Sequence, residues 1–409
     1  MDLTRRNVLA AGGALAAAGT GLLPRRGRAQ DKGLWLAPDL PEGTKQEAVL
    51  DALPGKAPVL KLTYRPPNYE NPIQYFDSLL TPNEAFFVRY HLADIPEIDP
   101  AAWRLRVGGD GVERSFELTL DELKRFEPVD VVAVCQCSGN RRGLVQPHVP
   151  GVEWGYGAMG NARWTGARLK DILNRAGLRR EAVEVAFDGA DGPPLPATPD
   201  FQKSLPIWKA LQDEVLVAYE MNGRPLPHWN GFPARLIVPG WTGTYWMKHL
   251  VTLSVLAKPF DGFWMTSAYR IPTGTFPTVE DFVSQQTRAS TPITEMVVNS
   301  LITHPLDGAR VPAGRRLEIR GMAWDGGYGI QGVDVSTDGG RTWIPASMGE
   351  NQGRYGFHRW TAGVTPQAGA LTILARAFNR VGQTQTTALI QNPAGYHHNL
   401  VQRVSVTAG

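Results

Sequence analysis

The sequence holds 409 residues with a formal net charge of +3, and 43% of it is hydrophobic. That length exceeds one ordinary hydrophobic core, so two domains of roughly 100–250 residues each are expected. So small a net charge, with no concentrated basic stripe, excludes an electrostatic case for nucleic acid, and any anion specificity has to be local.

At the amino terminus Thr4-Arg5-Arg6-Asn7-Val8-Leu9 leads into an Ala- and Gly-rich apolar run from Val8 to Leu23, then Pro24 and a basic stretch ending Arg28-Ala29. Paired arginines ahead of a mildly apolar segment give the pattern of a twin-arginine signal peptide over residues 1–29. The pattern predicts cleavage after Ala29, export of an already folded protein and a periplasmic address. The run is shorter than the roughly 20 residues a bilayer requires and is diluted by glycine, so no membrane span is expected in the mature chain.

From residue 30 to about 285 short helical and strand patterns alternate with Gly- and Pro-rich turns, which predicts a mixed α+β domain. Thr119-Leu-Asp-Glu122 has capping-box spacing ahead of Leu123 and Phe126, and Leu169, Ile172 and Leu173 form an apolar helix face that stops at Gly177. Val131-Val-Ala-Val134, Val215-Leu-Val-Ala-Tyr219 and Arg235-Leu-Ile-Val238 read as strands. Polar, Pro-rich sequence from Ile271 to Pro292 reads as a linker. Beyond it, over residues 286–409, Arg316–Trp324, Val333–Ser336, Phe357–Thr361 and Leu371–Phe378 alternate between turn signals such as Asp338-Gly339-Gly340. That texture predicts an immunoglobulin-like β-sandwich, a module for association rather than chemistry.

The strand at Val131 runs into Cys135-Gln-Cys137-Ser-Gly139-Asn-Arg-Arg142, which holds both cysteines of the chain. Residues two apart in an extended segment lie near the upper limit of disulfide geometry, so a bond between them would be strained. A thiol at a strand end beside two guanidinium groups sits where positive charge favours the thiolate, the form that binds a soft metal or attacks an electrophile. A buried structural cysteine beside surface arginines fits the same pattern, as does a nucleophile served by His91 or His148. The eight histidines show no Cys-x-x-Cys-His haem attachment, no His-Glu-x-x-His and no zinc knuckle, so no haem is expected in this chain.

Cys137-Ser-Gly-Asn-Arg-Arg142 resembles the molybdenum-cysteine motif of the sulfite oxidase family, and Phe86-Phe-Val-Arg89-Tyr-His91 resembles its substrate and cofactor segment. Gly151–Trp154, Ala162–Asp171, Ala218–Pro227, Gly231–Arg235 and Val238–Gly240 follow in the family's order, and Trp324–Gly327 with Val333–Trp343 resembles its carboxy-terminal dimerisation domain. The resemblance implies a molybdopterin-binding catalytic domain over 30–285, a dimerisation domain over 286–409, and molybdenum-dependent oxidation of sulfite to sulfate. It makes Cys137 the thiolate ligand to molybdenum on a single molybdopterin. Phe87, Val88, Arg89, Tyr90 and His91 fall at positions that line the pterin and its phosphate. So do Asp191, Asn230, Arg235 and Trp246-Met247-Lys248, and Arg235 and Lys248 are the cationic donors a buried phosphate demands. Arg89 and Arg142 match positions that hold the sulfite oxyanion, and Tyr269, in Met265-Thr-Ser-Ala-Tyr269-Arg270, matches the active-site tyrosine. His91 would tune Arg89 or relay protons, and Trp154 would wall the pocket.

The chain departs from the animal members in several places. It lacks the His-Pro-Gly-Gly motif of their haem domain, and it resembles exported bacterial sulfite dehydrogenases more closely in Trp241–Lys248 and Ala268–Pro272. That likeness implies one-electron transfers to a separate c-type cytochrome, by a homodimer or a heteromer with a cytochrome subunit. A third pocket arginine of the animal members is missing from Trp324-Asp-Gly-Gly-Tyr-Gly-Ile330, Tyr90 and Asn230 replace their asparagine and histidine, and Cys135 has no evident role. The rival readings are a sulfur-chain dehydrogenase, which shares the sandwich; a sulfoxide reductase, which lacks it; and a cofactor-free periplasmic binding protein.

Overall fold

The computed structural model describes residues 50–51, 53–273, 285–286 and 289–409. The signal-peptide pattern lies outside them, as does most of the segment read as a linker. Among the described residues no helix is long and apolar enough to cross a membrane.

The frame of the first half is a hairpin of two long strands, Pro128–Gln136 and Met159–Arg168, paired antiparallel with Cys135 opposite Gly160. The β-branched run around Val131 suits the pleated surface, and Gly160 leaves the space that the Phe86 ring fills, 2.4 Å from where a Cβ would stand. Leu216–Met221 extends the sheet beside Met159–Arg168, and both Arg224–Pro225 and Arg235–Ile237 pair with it. A second sheet runs in the order Lys203–Pro206, Glu184–Gly189, Leu250–Leu256, Leu105–Gly108, Phe116–Leu118. A third, of Leu50–Asp51, Val59–Thr63, Asn68–Glu70 and Val88–Arg89, carries Arg89.

The capping box at Thr119 forms as its spacing predicts: Thr119 Oγ1 accepts from Glu122 N at 3.1 Å and Glu122 Oε2 from Thr119 N at 2.8 Å. The helix it starts, Leu120–Leu123, is a single turn, and Phe126 falls beyond it. Leu169–Ala176 ends at Gly177, whose φ of 73° is the left-handed value that a helix stop needs and glycine supplies without strain.

The two ends of the stretch read as a linker are strands, with Arg270–Pro272 paired to Ser290–Pro292. Polar composition hid this pairing, since what fastens it is polar: Arg270 donates from Nη2 to Ser290 O and from Nε to Ser290 Oγ, both at 2.7 Å. After it the chain forms the expected sandwich. One sheet is Asn299–His304, Leu317–Trp324, His358–Val364, Ser347–Asn351, and the other Arg310–Val311, Gln402–Ala408, Gly369–Asn379, Ile330–Ser336, Ile344–Pro345. Ile319 and Trp360 of the first face Val333, Ile373 and Val404 of the second in one buried cluster.

The sandwich does not hang free. Val134, Tyr156 and Met159 share a buried cluster with Met296, Met322, Trp324 and Phe357, and the Trp324 indole donates to Gln136 Oε1 at 2.7 Å. The strand that leads to Cys137 is therefore braced from both halves of the chain.

Glu70, fully buried, accepts from Gly155 N at 2.8 Å and fixes the loop behind the Cys137 turn. Burial pushes its pKa up to about 8, against about 4.5 for an unfolded glutamate. The proton it keeps on folding contributes stability that is full below about pH 4.5 and lost as pH rises through about 8. Glu70→Gln, which retains an acceptor for Gly155, is expected to flatten the fall in urea midpoint between about pH 5 and about pH 8. An unchanged slope would show that Glu70 does not titrate in that window.

Candidate active site

Cys137 lies where the long strand stops pairing. Its N–H still donates to Ala158 O at 2.9 Å, and its carbonyl then accepts from Asn140 N, starting a turn that leaves the side chain at a cavity, 8% exposed. Cys135 is free as well and wholly buried. Residues i and i+2 of a strand share a face, so both thiols point to the same side. Cys135 sits deeper, its Sγ 3.4 Å from the Arg235 Nη2 donor, and burial raises its pKa to about 11, which keeps it a thiol.

The cavity encloses about 630 Å³ including its open mouth, and of the residues singled out from sequence it is lined by Phe87, Arg89, Tyr90, His91, Cys137, Asp191, Asn230, Arg235, Trp246, Met247, Lys248 and Tyr269. The His91 ring stacks on Phe201 with centroids 3.6 Å apart, and its Nε2 meets the Tyr269 hydroxyl in a short hydrogen bond. Burial, then the charges of Arg89, Lys248 and Lys203, hold the imidazole pKa well below its ordinary value, so His91 is neutral. Burial raises the Tyr269 phenol, and the Arg89 guanidinium, by charge and by hydrogen bond, pulls it back.

Three basic side chains line the same cavity as Cys137. Arg235 is 5% exposed, its guanidinium over the Trp164 ring at 5.3 Å and the Trp246 ring at 5.8 Å, with Nη1 donating to Asn230 O at 3.2 Å. Lys248 donates to Arg89 O at 2.7 Å and lies over the Tyr90 ring. Burial and then Arg235 press its pKa well down, against the pull of Asp191. Arg89 is anchored by donating to the Tyr90 carbonyl and, at 3.3 Å, to Asn68 Oδ1.

Other predicted residues stand elsewhere. Val88 is buried with Val59, Tyr69 and Tyr90 beneath the cavity floor. Trp154 is wholly buried in the core and does not line the cavity, and His148 is exposed, next to Glu153. Arg142 lies behind the wall. It donates from Nε to Ala394 O at 2.6 Å and from Nη1 to Val152 O at 3.3 Å, its guanidinium is 5.2 Å from the Tyr396 ring, and a Cβ on Gly139, Gly151 or Gly395 would stand 2.5, 2.5 or 2.9 Å from its side chain. Arg141 turns away altogether, donating to Asn299 Oδ1 at 2.7 Å and Leu400 O at 2.6 Å. The two arginines after Cys137, equivalent in sequence as nearby positive charge, thus both reach into the carboxy-terminal half.

Sequence reasoning passed over Ser138, Phe201, Trp229, Gly243 and Thr244, which also line the cavity, and Tyr396, which stacks on Tyr269 at 5.5 Å and 10°. It also missed Lys56, whose amine donates to Asn83 O and Phe86 O at 2.8 Å and to Asn230 Oδ1 at 2.5 Å, with its pKa lowered by burial to about 7. Asn230 in turn donates to Phe87 O at 3.1 Å, so its amide braces the floor. Ser138, Gly243 and Thr244 fall inside the segments Cys137–Arg142 and Trp241–Lys248, whereas no motif flags Lys56, Phe201, Trp229 or Tyr396, and only Gly395 before Tyr396 gives a turn signal.

The buried donors left over define what the cavity takes. Among the described residues Arg235 Nε and the Thr244 hydroxyl are buried without a hydrogen-bond partner, beside Lys248 and with Asp191 the one carboxylate in the lining. A cationic, aromatic-walled cavity with unmet donors fits an anionic group such as the phosphate of a pterin, and a thiol in its lining fits a soft metal. Among the described residues no group of three or more His, Cys, Asp or Glu side chains forms a metal site of its own, so a metal here would come with an organic ligand.

Two sequence families match the chain, the oxidoreductase molybdopterin binding domain over residues 91–264 and the Mo-co oxidoreductase dimerisation domain over 290–409. The chain is 38% identical to mitochondrial sulfite oxidase of Rattus norvegicus over 86% of this chain and 66% of that protein, so it spans about two thirds of that relative's length. It is 39% identical to sulfite oxidase of Gallus gallus over 79% of this chain and 72% of that protein. Among solved structures it is similar to the sulfane dehydrogenase SoxCD of Paracoccus pantotrophus, with a TM-score of 0.72, 26% identity and 89% of each chain covered.

Lys56→Met removes the donor from three buried acceptors, each of which costs about 1–3 kcal/mol when left unpaired. The variant is expected to lose at least about 2 kcal/mol in urea denaturation and to be purified with less molybdopterin. An unchanged midpoint with full cofactor content would show that the floor does not depend on Lys56.

Proposed function

The chain belongs to the sulfite oxidase family of molybdopterin enzymes, and from that premise we propose that it oxidises sulfite to sulfate and delivers the electrons one at a time to a separate c-type cytochrome. The observation that carries this reading is the convergence of Cys137, Arg89 and the hydrogen-bonded pair His91–Tyr269 on one cavity with more cations than carboxylates. An oxyanion substrate needs that excess of charge.

When bound, the molybdenum supplies the two-electron redox change, with water as the source of the oxygen gained by sulfite. Cys137, as thiolate, is the residue that would hold the metal. Arg235 and Lys248, with the Thr244 hydroxyl, would hold the phosphate, and Arg235 suits that task because its aromatic neighbours restrict the guanidinium while Nε stays unengaged among the described residues. Arg89 has five N–H donors, and those not used on Asn68, Tyr90 and Tyr269 are available to sulfite oxygens. The Tyr269 hydroxyl is hydrogen-bonded to the neutral His91 ring, and the pair is placed to hold and pass on a proton at the Tyr269 oxygen. Phe201 and Trp264 pack against His91 and keep water from that side. Arg142 acts through Tyr396 and Tyr269 from behind the wall.

The paired arginines Arg5-Arg6 and the apolar run after them support a periplasmic address, where c-type cytochromes are available as acceptors. The carboxy-terminal sandwich supports a homodimer, or a heteromer with a cytochrome subunit. A second reading, oxidation of a sulfane substrate, is favoured by the likeness to SoxCD. The higher identity to sulfite oxidases and the cationic cavity favour sulfite.

Sulfite-dependent cytochrome c reduction by protein of measured molybdenum content tests the reading. Cys137→Ser is expected to lose at least about a hundredfold in kcat with its pterin retained. Full activity in that variant would sink the ligand assignment, and turnover of a sulfane donor without turnover of sulfite would sink the substrate.

A further inference from the structure

Lys203 opens the strand Lys203–Pro206, and its side chain is wholly buried although no motif marks it. A buried lysine is ordinarily paired with a carboxylate. Among the described residues this one has no such partner. Its amine donates to Trp264 O at 2.6 Å and lies over two rings, Tyr245 at 4.7 Å and Tyr269 at 5.2 Å from their centroids. Lys203 is not in the cavity wall, so it is not placed to touch a bound anion.

Both groups that Lys203 touches on the cavity side belong to the cage around the His91–Tyr269 pair. Trp264 packs against His91 at 5.2 Å and against Phe201 at 5.2 Å, so an amine tethered to the Trp264 carbonyl fixes the wall on which the imidazole rests. Tyr269 itself has a φ of 56°, a left-handed value that costs an aromatic residue about 1–2 kcal/mol and persists only where neighbours impose it. Those neighbours are Ile293, whose N–H donates to Tyr269 O at 2.8 Å, the stacked Tyr396 ring, and Lys203.

We propose that Lys203 is a positioning residue: by holding Trp264 and the Tyr269 ring at once, it sets the distance between the Tyr269 hydroxyl and His91. The inference rests on the reading of that pair as part of the active site. Misplacing a proton-transferring group by a fraction of an ångström slows the chemical step and leaves substrate binding intact.

The test is Lys203→Met in the full-length holoenzyme, alone and combined with Tyr269→Phe. Sulfite turnover is expected to fall about tenfold in kcat with KM changed less than about twofold, and Lys203→Met is expected to add no further loss once the Tyr269 hydroxyl is gone. An equal loss in both backgrounds, or a loss confined to KM, overturns the proposal. Ring-labelled tyrosine NMR gives a readout that needs no substrate: the Tyr269 ring signals are expected to shift and broaden in Lys203→Met, and unchanged signals overturn the proposal even in an active enzyme. Failure of sulfite turnover in the unmodified enzyme would count against the functional reading and leave the NMR result standing. If Lys203→Met does not fold, Lys203→Gln, which keeps a donor for the Trp264 carbonyl, is measured in its place and is expected to give a smaller kcat loss with the same dependence on Tyr269.

Discussion

Arg235 is buried as a cation beside the half-buried Lys248, with a single carboxylate in the cavity lining, and the surroundings of the cavity are organised to make that tolerable. Charge removed from water without a partner is expensive, so every neighbour that can offer a lone pair or a π-face is recruited. Trp164 and Trp246 face the Arg235 guanidinium, Cys135 and the Asn230 carbonyl accept from it, and the Arg89 carbonyl accepts from Lys248. Asn230 can do this because Lys56 holds it from below. What remains unmet, Arg235 Nε, is the invitation to an anion. The site is thus incomplete by construction, and a bound phosphate would relieve it.

Cys135 shows how this constraint resolves what sequence left open. It shares a strand face with Cys137, so any local rule that makes one thiol a ligand applies to its neighbour. Depth separates them: Cys135 lies against Arg235 in the core, protonated and acting as a soft acceptor, whereas Cys137 reaches the open end where pairing with Ala158 stops.

Much of the fold was legible, because hydrophobic periodicity, a capping box and a helix-ending glycine are local signals, and the helices at Thr119 and Leu169 began where those signals placed them. The motif segments were legible too, since each carries several unusual residues in a row. Lys203, Lys56, Phe201 and Tyr396 were not, because each is one ordinary residue in ordinary context whose importance comes from a contact far along the chain. Lys56 bonds to Asn230 across 174 positions. The pairing of the linker's two ends was hidden for a related reason: at Arg270 it rests on a guanidinium gripping Ser290, and a polar grip has no periodicity to detect.

Arg141 and Arg142 add a constraint in time. They follow the proposed metal ligand closely, yet their hydrogen-bond acceptors include Ala394 O and Leu400 O, 252 and 259 positions further along the chain. Until that part of the chain is made, Arg142 lacks its Ala394 acceptor and Arg141 its Leu400 acceptor, so the turn that aims the thiol is held by fewer bonds. The pocket therefore has its full set of contacts only once residues 394–400 are in place, and a chain cut before Ala394 would loosen the turn at Cys137 without losing a strand of the catalytic half.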